Sequence, residues 1–167
     1  MRQLIMTTFF SLSLCTTGCS KLFSDISGKV DGNSLSEGTA FWGGPYVIIT
    51  DSEMECDDVS WVQDRYNEDG ETIGTDDTFK ALQFTYSSQE VKDGPVSIAA
   101  RDSGATGWFI SSDRGDAEVW QATTGNIDIT LDKKDRAEGE FEVGFGDSGS
   151  LEGTFLIENC VNLKPRH

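Results

Sequence analysis

Chemistry in this chain falls mainly to carboxylates, because the sequence holds 29 Asp and Glu but only one His, His167. Two carboxylates about 5–10 Å apart around a sugar ring suffice for glycoside hydrolysis. With so many candidates, however, composition selects no pair, and outward strand positions such as Glu140, Glu142, Glu152 and Glu158 read as a solvated face. Hard oxygen ligands on loops also suit calcium. The stretch holding Asp64, Asn67, Asp69, Asp76 and Asp77 is one candidate and the acids between Asp51 and Asp58 are another, with solvated turns as the plainer reading. Four tryptophans and three tyrosines supply flat amphipathic rings. Trp42, Trp108 and Trp120 could line a ligand cavity, although rings at alternating strand positions more often fill a core.

Several short segments resemble known motifs. Asn67, Asp69, Gly70 and Asp76 overlay positions 3, 5, 6 and 12 of a calcium-binding EF-hand loop, but Arg65 stands at the first ligand position and the last is Asp in place of Glu. Gly146-Asp147-Ser148-Gly149-Ser150 resembles the nucleophile segment of chymotrypsin-type serine proteases. That family needs a His held against the Ser, and a terminal His167 does not meet the requirement, so the segment reads as a hairpin turn. Arg114-Gly115-Asp116 spells the tripeptide that integrin ligands display, in a stretch that also reads as a tight turn.

The first twenty residues carry the most specific pattern. A positive start at Arg2, an apolar stretch from Leu4 to Leu14 and the run Thr16-Thr17-Gly18-Cys19 form a signal-peptide pattern. The apolar stretch is about half the ~20 residues that cross a bilayer, so it is not expected to be a transmembrane helix. Gly18 and Cys19 resemble the lipobox of bacterial lipoproteins, in which a small residue precedes the lipidated Cys; Thr16 stands where that family usually has Leu. Cys15 follows Leu12-Ser13-Leu14 but lacks the small residue immediately before it, so Cys19 is the expected site. The resemblance implies a signal peptide over 1–18 and a lipidated N-terminus with short tether over 19–27. Ser20 after the lipid site implies the outer membrane of a double-membraned cell.

With Cys19 lipidated in an oxidising compartment, Cys56 and Cys160 remain as a pair, and a structural disulfide between them is expected. Closing a loop of about 100 residues stabilises by up to ~4.7 kcal/mol in the chain-entropy model.

The elements that must position these groups read as strands. Ile127, Ile129 and Leu131 alternate with Asp128, Thr130 and Asp132; Phe141, Val143 and Phe145 alternate with Glu142 and its neighbours; Leu151, Phe155 and Ile157 follow the same rule. Shorter runs occur at Gly28–Val30, Thr39–Trp42, Leu82–Tyr86, Val96–Ile98, Trp108–Ile110 and Val119–Trp120. Turn signals separate them at Asp31-Gly32-Asn33, Asp93-Gly94-Pro95, Gly104 to Gly107 and Asp113 to Asp116. Tyr46–Thr50 is continuously apolar enough for a strand buried on both faces. A single helix is expected to begin at the capping box Ser52-Glu53-Met54-Glu55, with Cys56, Val59, Val62 and Tyr66 on its packed face. A mainly β domain over 28–167 follows, an antiparallel meander closed as a barrel or stacked as a two-sheet sandwich, with the short helix packed on it.

A formal net charge of −16 bounds the function. Phosphate backbones repel such a chain, so nucleic acid is excluded as a partner. Loss of residues 1–18 removes Arg2 and no acid, making the mature chain one charge more negative. The expectation is a membrane-anchored, non-enzymatic envelope lipoprotein whose acidic β-domain binds a basic protein partner or has a structural role. The alternatives are a small-ligand carrier using Trp42, Trp108 and Trp120, and a calcium-dependent binding module.

Overall fold

A computed structural model describes residues 24–35, 38–51, 56, 78–100, 103–114, 116–132 and 136–160. Ten strands form one sheet: β1 (Ser24–Val30), β2 (Ala40–Gly43), β3 (Tyr46–Thr50), β4 (Phe79–Tyr86), β5 (Gly94–Ala99), β6 (Ala105–Asp113), β7 (Asp116–Gln121), β8 (Thr124–Asp132), β9 (Arg136–Gly144) and β10 (Gly149–Asn159). Eight of them close on themselves in the order β10-β2-β3-β4-β6-β5-β8-β9, with β9 returning to β10. The fold is therefore a closed barrel. Two short parallel seams complete it: Glu158 and Asn159 of β10 against Phe41 and Trp42 of β2, and Ile98 of β5 against Ala105 of β6. The remaining strands, β1 and β7, lie along the edges of β10 and β6 beside these seams.

The antiparallel hairpins β2–β3, β6–β7, β8–β9 and β9–β10 follow the expected meander. Two departures arise where strands reach past their sequence neighbours. The Asp31-Gly32 turn brings β1 alongside β10 and not β2, and β5 crosses over to β8 while β4 pairs with β6. Pro95 is tolerated in β5 because that strand meets β6 only at Ile98, leaving its other edge without a ladder to interrupt. β1 also takes residues 24–27 out of the expected tether, leaving 20–23 between Cys19 and the sheet.

The expected turn across Gly104 to Gly107 is corrected: β6 has begun by Ala105. Gly107 is there to admit neighbours, since a Cβ would stand 3.0 Å from Ala122 Cβ and 3.4 Å from Ile98 Cγ2. Of the helix expected after Ser52, only Cys56 belongs to the described residues, and its backbone is helical. Cys56 is bonded to Cys160, with the two Cα atoms 5.5 Å apart, as expected.

Alternation along the strands divides the side chains between the inside of the barrel and its outer surface. Inside, Val47, Ile49, Leu82, Phe84, Phe109, Ile127, Ile129, Val143, Leu151 and Ile157 are buried together. Phe84 and Phe141 meet at 5.5 Å between ring centroids, Phe109 and Trp120 at 5.6 Å, and Phe141 and Phe155 at 6.2 Å, so aromatic rings fill the middle.

The outer surface has two characters. Over β2 and β3 it is apolar, where Phe41, Ile48 and Cys160 pack with Tyr46 and Cys56; over β4, β6 and β7 it is again apolar, where Phe79, Ala81 and Ile110 pack with Val119. β3 is thus buried on both faces, as its apolar run implied. Over β8, β9, β10 and β1 the outer surface is wet and acidic.

Candidate interaction surface

The acidic wall is built by strand register. Across β8, β9, β10 and β1, one row runs Asp128, Glu140, Thr154, Asp25, and the next runs Asn126, Glu142, Glu152, Ser27. Glu138 adds a further carboxylate beside Thr130 and Leu156. Asp25, Glu138, Glu140, Glu142 and Glu152 are exposed and Asp128 half-buried, in agreement with the solvated face read from alternation. Their neighbours Ile127, Ile129, Phe141, Val143, Leu151 and Phe155 point inward, so the acids have only the outer surface to occupy.

Two contacts in this wall oppose the fold locally. Asp128 stands directly across from Glu140, and Glu142 directly across from Glu152. Like charges in such positions repel, costing roughly 0.2–1 kcal/mol each. No Lys or Arg occupies either row, and Ser27 Oγ donates to Glu152 Oε1 at 3.2 Å as a neutral partner. The wall is also concave. One depression of about 530 Å³ is lined by Asp25, Ser27, Asn126, Glu140, Glu142 and Glu152, and a second of about 550 Å³ beside it by Asp128, Thr130 and Glu138 with Glu140 and Thr154. The polar groups that this shallow surface presents are carboxylates, the hydroxyls of Ser27, Thr130 and Thr154, and the Asn126 amide.

The other sequence candidates are dispersed. Trp42 and Trp120 pack against the inner core. Trp108 lies on the opposite face of β6 from Phe109, across from Gln83 and Gln121. The three rings therefore do not line one common space. Asp64, Asn67, Asp69 and Asp76 lie outside the described residues, as do Cys19 and His167. Among the described residues no group of three or more His, Cys, Asp or Glu is placed to hold a metal ion. Ser148 sits in a 3-10 turn (Gly146–Ser148), where its carbonyl accepts from the Asp31 amide at 2.7 Å. It serves as a turn residue that ties β1 to the β9–β10 hairpin. Arg114 stands in the β6–β7 turn, exposed, with φ +49° and Nε 3.9 Å from Asp113.

Sequence reading singled out Glu140, Glu142 and Glu152 but not Asp25 or Ser27. Both belong to β1, whose position next to β10 no local pattern announces. Tyr86, one of the rings that the sequence offers as cavity lining or core filling, is almost fully buried inside the barrel, and among the described residues neither its hydroxyl nor Trp42 Nε1 has a hydrogen-bond partner. Burial pushes the Tyr86 phenol well above its ordinary value of 10.0, and the charge of Asp128 adds to the rise.

No family model matches this chain, and neither a curated protein nor a solved structure matches it.

Proposed function

We propose that this chain is a lipid-anchored protein of the cell envelope, held in the outer membrane through Cys19, whose acidic barrel wall takes a basic protein partner without catalysing a reaction. The observation that carries the reading is the double row of exposed carboxylates over β8, β9, β10 and β1 with no basic residue in register. Self-repulsion within the rows is relieved when an external cation group enters, so a partner's Lys or Arg gains more here than on a mixed surface. The Cys56–Cys160 disulfide supports an oxidising compartment.

Anchoring at Cys19 leaves residues 20–23 before β1, a span of at most about 14 Å when extended. The barrel then rides close to the lipid surface, and its partner is met at the membrane. Two measurements test the two halves of the proposal. Radiolabelled palmitate enters the native protein and is lost with Cys19→Ala; unchanged labelling overturns the anchor. Immobilised protein captures cationic exported proteins with an association rate that falls as salt rises, and a Glu140→Gln, Glu142→Gln, Glu152→Gln triple variant loses that capture. Salt-insensitive capture, or capture unchanged in the triple variant, overturns the partner.

A further inference from the structure

The chain enters the barrel at Ser24, the first residue of β1. Register carries that level across the sheet: Ser24 pairs with Phe155 of β10, Phe155 with Gly139 of β9, and Gly139 with Ile129 of β8. Beyond this row, on the side from which the chain arrives, β10 runs on to Asn159, β9 begins at Arg136 and β8 ends at Asp132. Leu131 is two residues past the row and Arg136 three, roughly 7–10 Å at the rise of a strand.

This rim differs in composition from the wall behind it. Leu131 is the one large apolar side chain exposed among the described residues, at 36%. Its amide donates to Asp93 Oδ1 at 2.8 Å, which ties the end of β8 to the residue before β5, and the exposed Lys92 adjoins Asp93. In a chain with 13 Lys and Arg against 29 Asp and Glu, Lys133, Lys134 and Arg136 fall close together. Asp132 and Arg136 are register partners, so the short link between them is too short to carry its lysines away from this rim. Arg136 lies in register between Asp132 and Glu158 and offsets their charge.

From these positions we infer that the barrel stands on a phospholipid surface by this rim, with Leu131 in the boundary between headgroups and acyl chains and the adjoining lysines against the phosphates. The inference rests on the proposed anchor at Cys19 and states how the anchored barrel is turned. Cys19 precedes Ser24 by five residues, a reach of at most about 18 Å. The opposite end of the wall, at the Gly146–Ser148 turn, begins six residues of β10 behind Phe155, roughly 20 Å away, so the tether is too short for that end to face the lipid. Lying on the acidic wall would set Asp25, Glu140, Glu142 and Glu152 against phosphates of like charge. Standing on the rim keeps the row of Asp128 and Glu140 three residues behind Leu131, roughly 10 Å, where salt with a screening length of about 8 Å weakens the repulsion. Of the wall's acids only Glu138 comes nearer. The wall then faces sideways along the membrane, open to a partner there.

The test uses the full chain, exported and acylated by the cell, in vesicles of phosphatidylethanolamine and phosphatidylglycerol that carry a spin label on the headgroups. Cys56 and Cys160 are bonded to each other, so Asp132→Cys on the rim, or Asp147→Cys in the far turn, takes a thiol-reactive fluorophore. The fluorophore at 132 is expected to be quenched by the spin label and the one at 147 to keep its emission. Adding Leu131→Ser, Lys133→Glu and Lys134→Glu to Asp132→Cys removes the quenching while the protein still floats with the vesicles. Equal quenching at the two positions, stronger quenching at 147, or quenching at 132 that survives the added substitutions overturns the inference and leaves the anchor standing. Failure of the unaltered protein to float with the vesicles overturns the anchor and this inference with it.

Discussion

Tyr86 places a hydroxyl inside an apolar barrel without a partner among the described residues, and Gly139 is glycine because Phe155 already occupies its side-chain space. Both make quantitative tests. An unpaired buried hydroxyl costs roughly 1–3 kcal/mol, so Tyr86→Phe is expected to raise the unfolding free energy by about 1 kcal/mol in urea titrations. The phenol is held above its ordinary 10.0 when folded. Below that pH both states keep the proton; above it the unfolded chain releases it first, so stability falls as pH rises through 10. The alkaline loss should be smaller in Tyr86→Phe than in the unaltered protein, and an identical pH dependence would refute the burial argument. At Gly139 a Cβ would stand 2.5 Å from both the Asp128 carbonyl oxygen and the Phe155 ring. Gly139→Ala is expected to cost about 1–3 kcal/mol, read from the denaturation midpoint.

At the scale of elements, the two seams decide how the barrel holds together. β10 meets β2 through only two register positions, and the chain then passes directly to Cys160, whose amide donates to the Trp42 carbonyl. The disulfide therefore fastens the β10–β2 seam while Phe41 and Ile48 pack over it. Replacing both cysteines with Ser is expected to destabilise by about 2–5 kcal/mol, with the loss seen as a lower melting temperature. Amides at Phe41 and Trp42 should lose exchange protection before those of β8 and β9, which share nine register positions.

At the scale of the molecule, charge and apolar surface are segregated. One side of the barrel is apolar within and without; the other is apolar within and acidic without. The acidic side carries unrelieved repulsion, so added salt should raise the melting temperature. Glu142→Gln should do likewise, by about 0.2–1 kcal/mol, because Glu142 faces Glu152 directly and Asn126 on its other side. A melting temperature indifferent to both changes would show that the carboxylates are already compensated.

The sequence by itself determined the period and therefore the class. Residues 127–131 and 141–145 alternate, as do 151–157 except at Gly153 and Leu156, and the structure has strands over 127–131, 141–144 and 151–157. Tyr46–Thr50 was readable to the residue because a doubly buried strand has an apolar run with distinct ends. The cystine was readable from the resemblance that removed Cys19 from the pool. The limit is visible at Leu131, which continues the inward phase of Ile127 and Ile129 yet is exposed near the end of β8. Alternation gives a side chain's face but not how far the partner strands extend to cover it. Only the tertiary structure decided that β1 lies on β10, that β5 crosses to β8, and that Trp42 and Trp108 fall on opposite faces of the sheet. These are pairings between strands distant in sequence, set by shared burial and backbone hydrogen bonding, and no local pattern encodes them. The double row of acids is their product: each strand contributes one or two carboxylates, and register alone brings them together.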